Sequence, residues 1–184
     1  MPRFINIIHL PSREDRLQLV NSQLIQQGIY GCFWQGITDT KNPKRGIAQA
    51  HKQVVRHARE ENLPSITIAE DDIKFTSPGA FDYYLQQEPD TFDLYLGGIY
   101  HGDIKPDNTV ADFAGLMLYM IHQRFYDIFL SVPEGNDLDR ELAGKGKFVV
   151  CNPFAATQYN GYSDNKQRYM DYDCCLQNRQ LFTR

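Results

Sequence analysis

Short apolar runs rich in β-branched residues alternate along this chain with segments whose apolar residues recur every three or four positions. That alternation confines the fold to strands and helices in turn, with the helices packed on a sheet. Phe4-Ile5-Asn6-Ile7-Ile8-His9-Leu10 reads as a first buried strand. Ser12 can cap the next helix, with Asp15 three residues on as an acidic capping partner. Leu17, Val20 and Leu24 then share one face, and Gly28 is a natural stop. Tyr30 to Ile37 reads as a second strand, followed by a turn-rich loop from Thr38 to Gly46.

The clearest helix spans about Ile47 to Glu61. Ile47, Ala50, Val54, Val55 and Ala58 form its apolar stripe, with Lys52, Arg56, Arg59 and Glu60 opposite. Pro64 ends it, and Ile66-Thr67-Ile68-Ala69 is a short strand that runs directly into Glu70, Asp71 and Asp72. Phe92 to Leu96 is a further strand closed by Gly97-Gly98. The run Ala114 to Ile121 leads into a helix expected to turn Phe125, Ile128 and Phe129 inward. Lys147 to Cys151 is the last clear strand, and the polar stretch from Ser163 onward has weak helical periodicity. The predicted class is α/β, one domain over residues 1–184, with a mostly parallel sheet flanked by helices.

A chain of 184 residues that is 42% hydrophobic can bury one good core. The net charge of −4, with Lys and Arg scattered apart from Lys41, Lys44 and Arg45, argues against a nucleic-acid binder. No segment approaches the roughly 20 apolar residues of a membrane-spanning helix. The start, Met1-Pro2-Arg3-Phe4, carries no secretory leader pattern. The expected location is the cytoplasm, with peripheral membrane contact left open. Cys32, Cys151, Cys174 and Cys175 show neither zinc spacing nor a disulfide framework and read as reduced thiols.

The acidic triplet carries the chemistry. Three adjacent carboxylates repel one another, and in open α/β sheets ligands bind at the carboxyl ends of strands. Along an extended chain Glu70 and Asp72 point to one side and Asp71 to the other. Hard oxygen ligands of this kind select Mg²⁺ or Mn²⁺ and leave coordination positions for diphosphate oxygens. The plainer reading is a solvated acidic turn. His51 falls inside the stripe of Ile47, Val54 and Ala58, where a histidine is either a hydrogen-bonded core residue or a site residue. Arg13 and Arg16 follow the first strand and either meet phosphate or form a solvated helix face. There is no G-x-G-x-x-G and no Walker motif.

Taken in order, these pieces resemble the family 25 glycosyltransferases, the lipopolysaccharide-type and collagen-type galactosyl- and glucosyltransferases. Ile5 to Arg16 is similar to that family's I-N-L-x-x-R-x-D-R start. Gly46 to His51 is similar to its G-x-x-x-S-H element, with Ala50 in place of serine, and Ile66 to Asp72 to its strand plus E-D-D. Asp93 to Gly97, Ala114 to Ile121, the D-x-x-L of Asp139 to Leu142 and the P-x-x-x-x-Q of Pro153 to Gln158 follow in order, with Ser163-Asp164 after them. His9 stands where the family more usually has Asn.

The resemblance implies a GT-A fold, a UDP-sugar donor, a Mn²⁺ or Mg²⁺ ion held by Glu70 and Asp72, and inversion at the anomeric carbon. It makes Asn6, Arg13, Arg16, His51 and Glu70 donor-site residues and a glycan or glycolipid the acceptor, as in lipopolysaccharide biosynthesis. Inverting transfer needs a base on the acceptor side. Asp139 is the first choice and Asp137 the second. Two rival readings use the same residues: a metal-dependent phosphohydrolase or nucleotidyltransferase, and a catalytically silent module that binds a sugar nucleotide.

Overall fold

The computed structural model describes residues 3–184; Met1 and Pro2 lie outside it. In chain order its first half comprises β1 (Phe4–His9), α1 (Glu14–Gln27), β2 (Tyr30–Gln35), α2 (Pro43–Glu60), β3 (Ser65–Glu70), β4 (Ile73–Phe75), α3 (Ala80–Gln86) and β5 (Leu94–Leu96). Four short strands follow: β6 (His101–Gly102), β7 (Thr109–Val110), β8 (Phe113–Ala114) and β9 (Leu118–His122). Then come α4 (Tyr126–Ser131), α5 (Leu138–Leu142), β10 (Phe148–Val150), β11 (Ala156–Gln158), β12 (Gly161–Ser163) and β13 (Arg168–Met170).

The main sheet has the order β2-β1-β3-β9-β5-β10-β7. β1 is parallel to both β2 and β3, and β10 is parallel to β5; β9 and β7 run the other way. The sheet is therefore mostly parallel, as the alternation of elements predicted. Its two faces carry separate apolar clusters. One gathers Val54, Val55 and Ala58 of α2 with Phe129 of α4 and Leu142 of α5, and the other gathers Val20 and Leu24 of α1 with Phe81 and Tyr84 of α3. Val54, Val55 and Ala58 are wholly shielded from solvent. Each valine so placed contributes about 1.5–3 kcal/mol relative to exposure.

Several local expectations change. Helix α2 begins at Pro43, because proline suits a first helical turn, where its missing N–H is no loss. Gly46 lies inside that turn, and a Cβ there would stand 2.2 Å from the Ile37 carbonyl oxygen. Glycine thus lets the loop after β2 press against the helix. Lys52 is not on a solvated face: it is 3% exposed and donates to the Val132 carbonyl at 2.6 Å and to Glu134. Ser12 caps nothing, since α1 starts at Glu14 after Arg13. Gly28 does end α1, in the left-handed conformation, as expected. Ile128 faces solvent at 41% exposure while Phe125 and Phe129 are buried. The polar C-terminal stretch is a hairpin of β12 and β13 followed by a short 3₁₀ turn at Asp173–Leu176, not an α-helix. No helix among the described residues is long and apolar enough to cross a membrane.

Candidate active site

β1, β2 and β3 run parallel, so their carboxyl ends open on one side of the sheet. A cavity of about 440 Å³ lies there, within the range of small-molecule sites. Its walls come from the ends of β1 and β3, the start of α2, α5, and the loop between β12 and β13. Glu70, Asp71, Asp72, His51, Arg16, Asp137 and Asp139 all line it.

The triplet is held by a defined set of partners. Glu70 closes β3, and Asp71 and Asp72 form the turn into β4. Asp71 accepts from the Leu10 backbone N–H at 3.2 Å and contacts the His9 ring at 2.8 Å. His9 therefore anchors one acid of the triplet. The Arg16 guanidinium sits 3.0 Å from both Asp71 and Asp72. Glu70 and Asp72 do share a side, and Gln158 marks it: its Nε2 donates to Glu70 Oε2 and to Asp72 Oδ1, each at 3.0 Å. Asp71 does not point away from the cavity, because the chain turns after Glu70 and the alternation of an extended strand ends there.

Burial raises the Asp72 carboxyl to about 7, against the pull of Arg16 and with added repulsion from Glu70 and Asp71. Burial works against the Arg16 charge as well, but Asp72 and Asp71 hold it above its ordinary range. His51 unites its two readings. It is 1% exposed, bonded through Nδ1 to the Tyr119 hydroxyl at 2.9 Å, and its Nε2 lies 3.3 Å from Glu70 Oε1 at the cavity wall.

The two candidate bases differ in setting. Asp139 is 9% exposed and accepts backbone N–H groups of Gly115 and Arg140. Burial dominates these bonds and moves its carboxyl above the ordinary range. Asp137 is also desolvated, but hydrogen bonds from Lys44 and Asn165 and the charge of Lys166 bring it below that range.

Two expected donor-site residues are elsewhere. Asn6 donates to the Thr67 carbonyl at 3.0 Å and accepts from the Trp34 indole at 2.9 Å, tying β1 to both neighbouring strands, and it does not line this cavity. It is half-buried on a strand flanked on both sides, and its two strand neighbours consume its amide. Arg13 lies outside the cavity wall and pairs with Asp15 and Asp164 while donating to the Tyr162 carbonyl. It clamps the β12–β13 hairpin whose loop forms part of that wall.

Gln158, Tyr100 and Tyr172 complete the cavity. Gln158 reaches the triplet because β11 pairs antiparallel with β4, setting Gln158 opposite Ile73. In the sequence Gln158 is marked only faintly, as the end of the P-x-x-x-x-Q segment, and the two tyrosines not at all. Among the described residues no group of three or more His, Cys, Asp and Glu side chains is arranged around a metal position. Glu70 and Asp72 are the two carboxylates that share the Gln158 amide and turn to one side of the cavity. The Gln158 Oε1 beside them is buried without a hydrogen-bond partner, so the residues fit a hard divalent ion.

No family model and no curated protein matches this chain. Among solved structures, the fold is similar to a Drosophila β-1,4-galactosyltransferase 7 mutant in complex with manganese, UDP-Gal and xylobiose. That likeness has a TM-score of 0.55 and 11% identity, over 100% of this chain and 82% of that one. A lesser likeness is to HddC from Yersinia pseudotuberculosis, with a TM-score of 0.45 and 10% identity over 80% of this chain and 67% of that one. The architecture is thus GT-A-like: a mixed α/β fold with a large, mostly parallel sheet between helices.

Proposed function

We propose that this chain is a metal-dependent, inverting glycosyltransferase of the family 25 type, moving a galactose or glucose unit from a UDP-sugar to a hydroxyl of a glycan or glycolipid. The observation that carries this reading is the convergence of Glu70, Asp72, His51, Arg16 and Asp139 on one cavity at the carboxyl ends of β1 and β3. The likeness in fold to a galactosyltransferase that holds manganese and UDP-Gal supports it.

Glu70 and Asp72 would hold Mn²⁺ or Mg²⁺, whose charge offsets that building on the departing diphosphate. Arg16 neutralises Asp71 and Asp72 and keeps three repelling acids in register. His51 orients Glu70 from within the core. Asp139 takes the acceptor hydroxyl proton as that oxygen attacks the anomeric carbon and the diphosphate leaves on the opposite face. Its raised affinity for a proton suits a general base near neutral pH. Asp137, bound to Lys44 and Lys166, shapes the acceptor side.

A panel of nucleotide sugars incubated with the protein and Mn²⁺, without acceptor, tests this. Slow metal-dependent hydrolysis of a UDP-hexose is expected. A protein that cleaves generic phosphate esters is a phosphohydrolase, one that makes a sugar nucleotide from nucleoside triphosphate is a nucleotidyltransferase, and one that binds UDP but consumes no donor is a silent module.

A further inference from the structure

Gln158 is 6% exposed, yet its Oε1 has no hydrogen-bond partner. A buried acceptor left unpaired costs about 1–3 kcal/mol, and the structure offers no internal compensation for it. The same amide group spends its Nε2 on two carboxylates at once, bridging Glu70 and Asp72 at 3.0 Å each. Without that bridge these two acids would face each other across the cavity wall with Arg16 as their one nearby guanidinium, which reaches Asp72 alone of the two. The strand pairing of β11 with β4 fixes the Gln158 backbone, and the Tyr159 N–H donates to the Asp72 carbonyl at 2.8 Å. The side chain's terminal torsion is the freedom that remains, and rotation about it interchanges the amide's oxygen and nitrogen ends.

We propose that Gln158 is the third protein ligand of the divalent cation, supplying Oε1 after its amide turns over. The inference rests on the assignment of Glu70 and Asp72 as metal ligands. In the metal-free protein the Nε2 end holds the two carboxylates together. A cation between Glu70 and Asp72 does that work itself, freeing the amide to present its oxygen. Amide oxygens are ordinary ligands of hard divalent ions. One residue thereby has two exchangeable roles, as a strut without the metal and a ligand with it. It also explains why the acids alone do not form a three-residue metal cluster: the third donor is a glutamine oxygen.

Mn²⁺ titration followed by the loss of the free-ion paramagnetic signal tests this on the full chain, with stability of each metal-free variant measured alongside. Gln158→Leu removes both ends of the amide, and Gln158→Glu keeps an oxygen donor while removing the strut. The expected result is that Gln158→Leu binds Mn²⁺ at least about tenfold more weakly. Gln158→Glu should bind at or above wild-type affinity although its metal-free form, with a third carboxylate, is less stable than wild type. A strut alone would give the reverse for Gln158→Glu, because adding charge between two acids spoils a site that needs only their spacing. Wild-type affinity in Gln158→Leu, or equal weakening in both variants, overturns the ligand role while leaving Glu70 and Asp72 in place. Failure of wild type itself to bind Mn²⁺ removes the metal site and this inference with it.

Discussion

Replacing Asp72 by Asn preserves the shape of a buried side chain and removes its charge. Burial moves this carboxyl from 3.8 to about 7, Arg16 opposing and Glu70 and Asp71 adding to the rise. Ionising Asp72 inside the fold therefore costs about 4 kcal/mol more than ionising it in the unfolded chain. The sign follows from which state holds the proton more tightly. Here the folded state does, so the contribution of Asp72 to the stability of the metal-free protein is fullest below about pH 4 and is lost as the pH climbs to about 7. Asn has no proton to lose and resembles the protonated acid. Relative to Asp72→Asn, metal-free wild type should lose about 4 kcal/mol between about pH 4 and pH 8. Urea denaturation followed by the fluorescence of Trp34, the single tryptophan, measures both proteins across that range. Adding Mn²⁺ at the alkaline end should restore stability to wild type and leave the variant unchanged, because the cation binds the charged form. Parallel pH curves for the two proteins would refute the argument that Asp72 is ionised against burial.

Three further outcomes follow from the same geometry. Asp139→Asn should lower acceptor-dependent transfer by about 10²–10⁴-fold with UDP affinity kept; Asp137→Asn should cost less, and equal losses in a transfer assay would contradict the assignment. Mn²⁺ affinity should rise with pH up to about 7, since the proton on Asp72 competes with the ion below that value; isothermal titration at several pH values reads this directly. Asn6→Ala should destabilise the fold by about 1–3 kcal/mol, stranding the Trp34 indole and the Thr67 carbonyl, while UDP affinity measured on the folded protein stays unchanged.

The sheet was legible because parallel strands buried on both faces read as apolar runs, as in Phe4 to Leu10 and Ile66 to Ala69, and α2 announced itself by its stripe. Sequence also placed the acids at a strand's end, where the structure has them. What it could not supply was long-range pairing. Gln158 lies 86 residues from Asp72, and only the register of β11 against β4 brings them together. Asn6 and Arg13 show the converse. Their positions in a motif suggested a ligand, but Asn6 is consumed by its strand neighbours and Arg13 by the hairpin it clamps. The C-terminal stretch is a hairpin and not a helix because weak periodicity carries little weight beside the polar run Asp164-Asn165-Lys166-Gln167, which turns the chain between β12 and β13 with Gln167 at a positive φ of 50°. The charge of Lys52 points to solvent, yet a lysine stem packs readily when its ammonium reaches a carbonyl and a carboxylate.

The central claim is that Glu70 and Asp72 hold a divalent ion against a nucleoside diphosphate. Calorimetric titration of UDP into wild type and Asp72→Asn, each with and without Mn²⁺, tests it most directly. The account predicts that Mn²⁺ strengthens UDP binding to wild type by at least about tenfold, a coupling of about 1.4 kcal/mol, and does nothing for Asp72→Asn. Equal UDP affinity in all four titrations would contradict it, and the three acids would then be a buried charge cluster held by Arg16 and Gln158 without a metal.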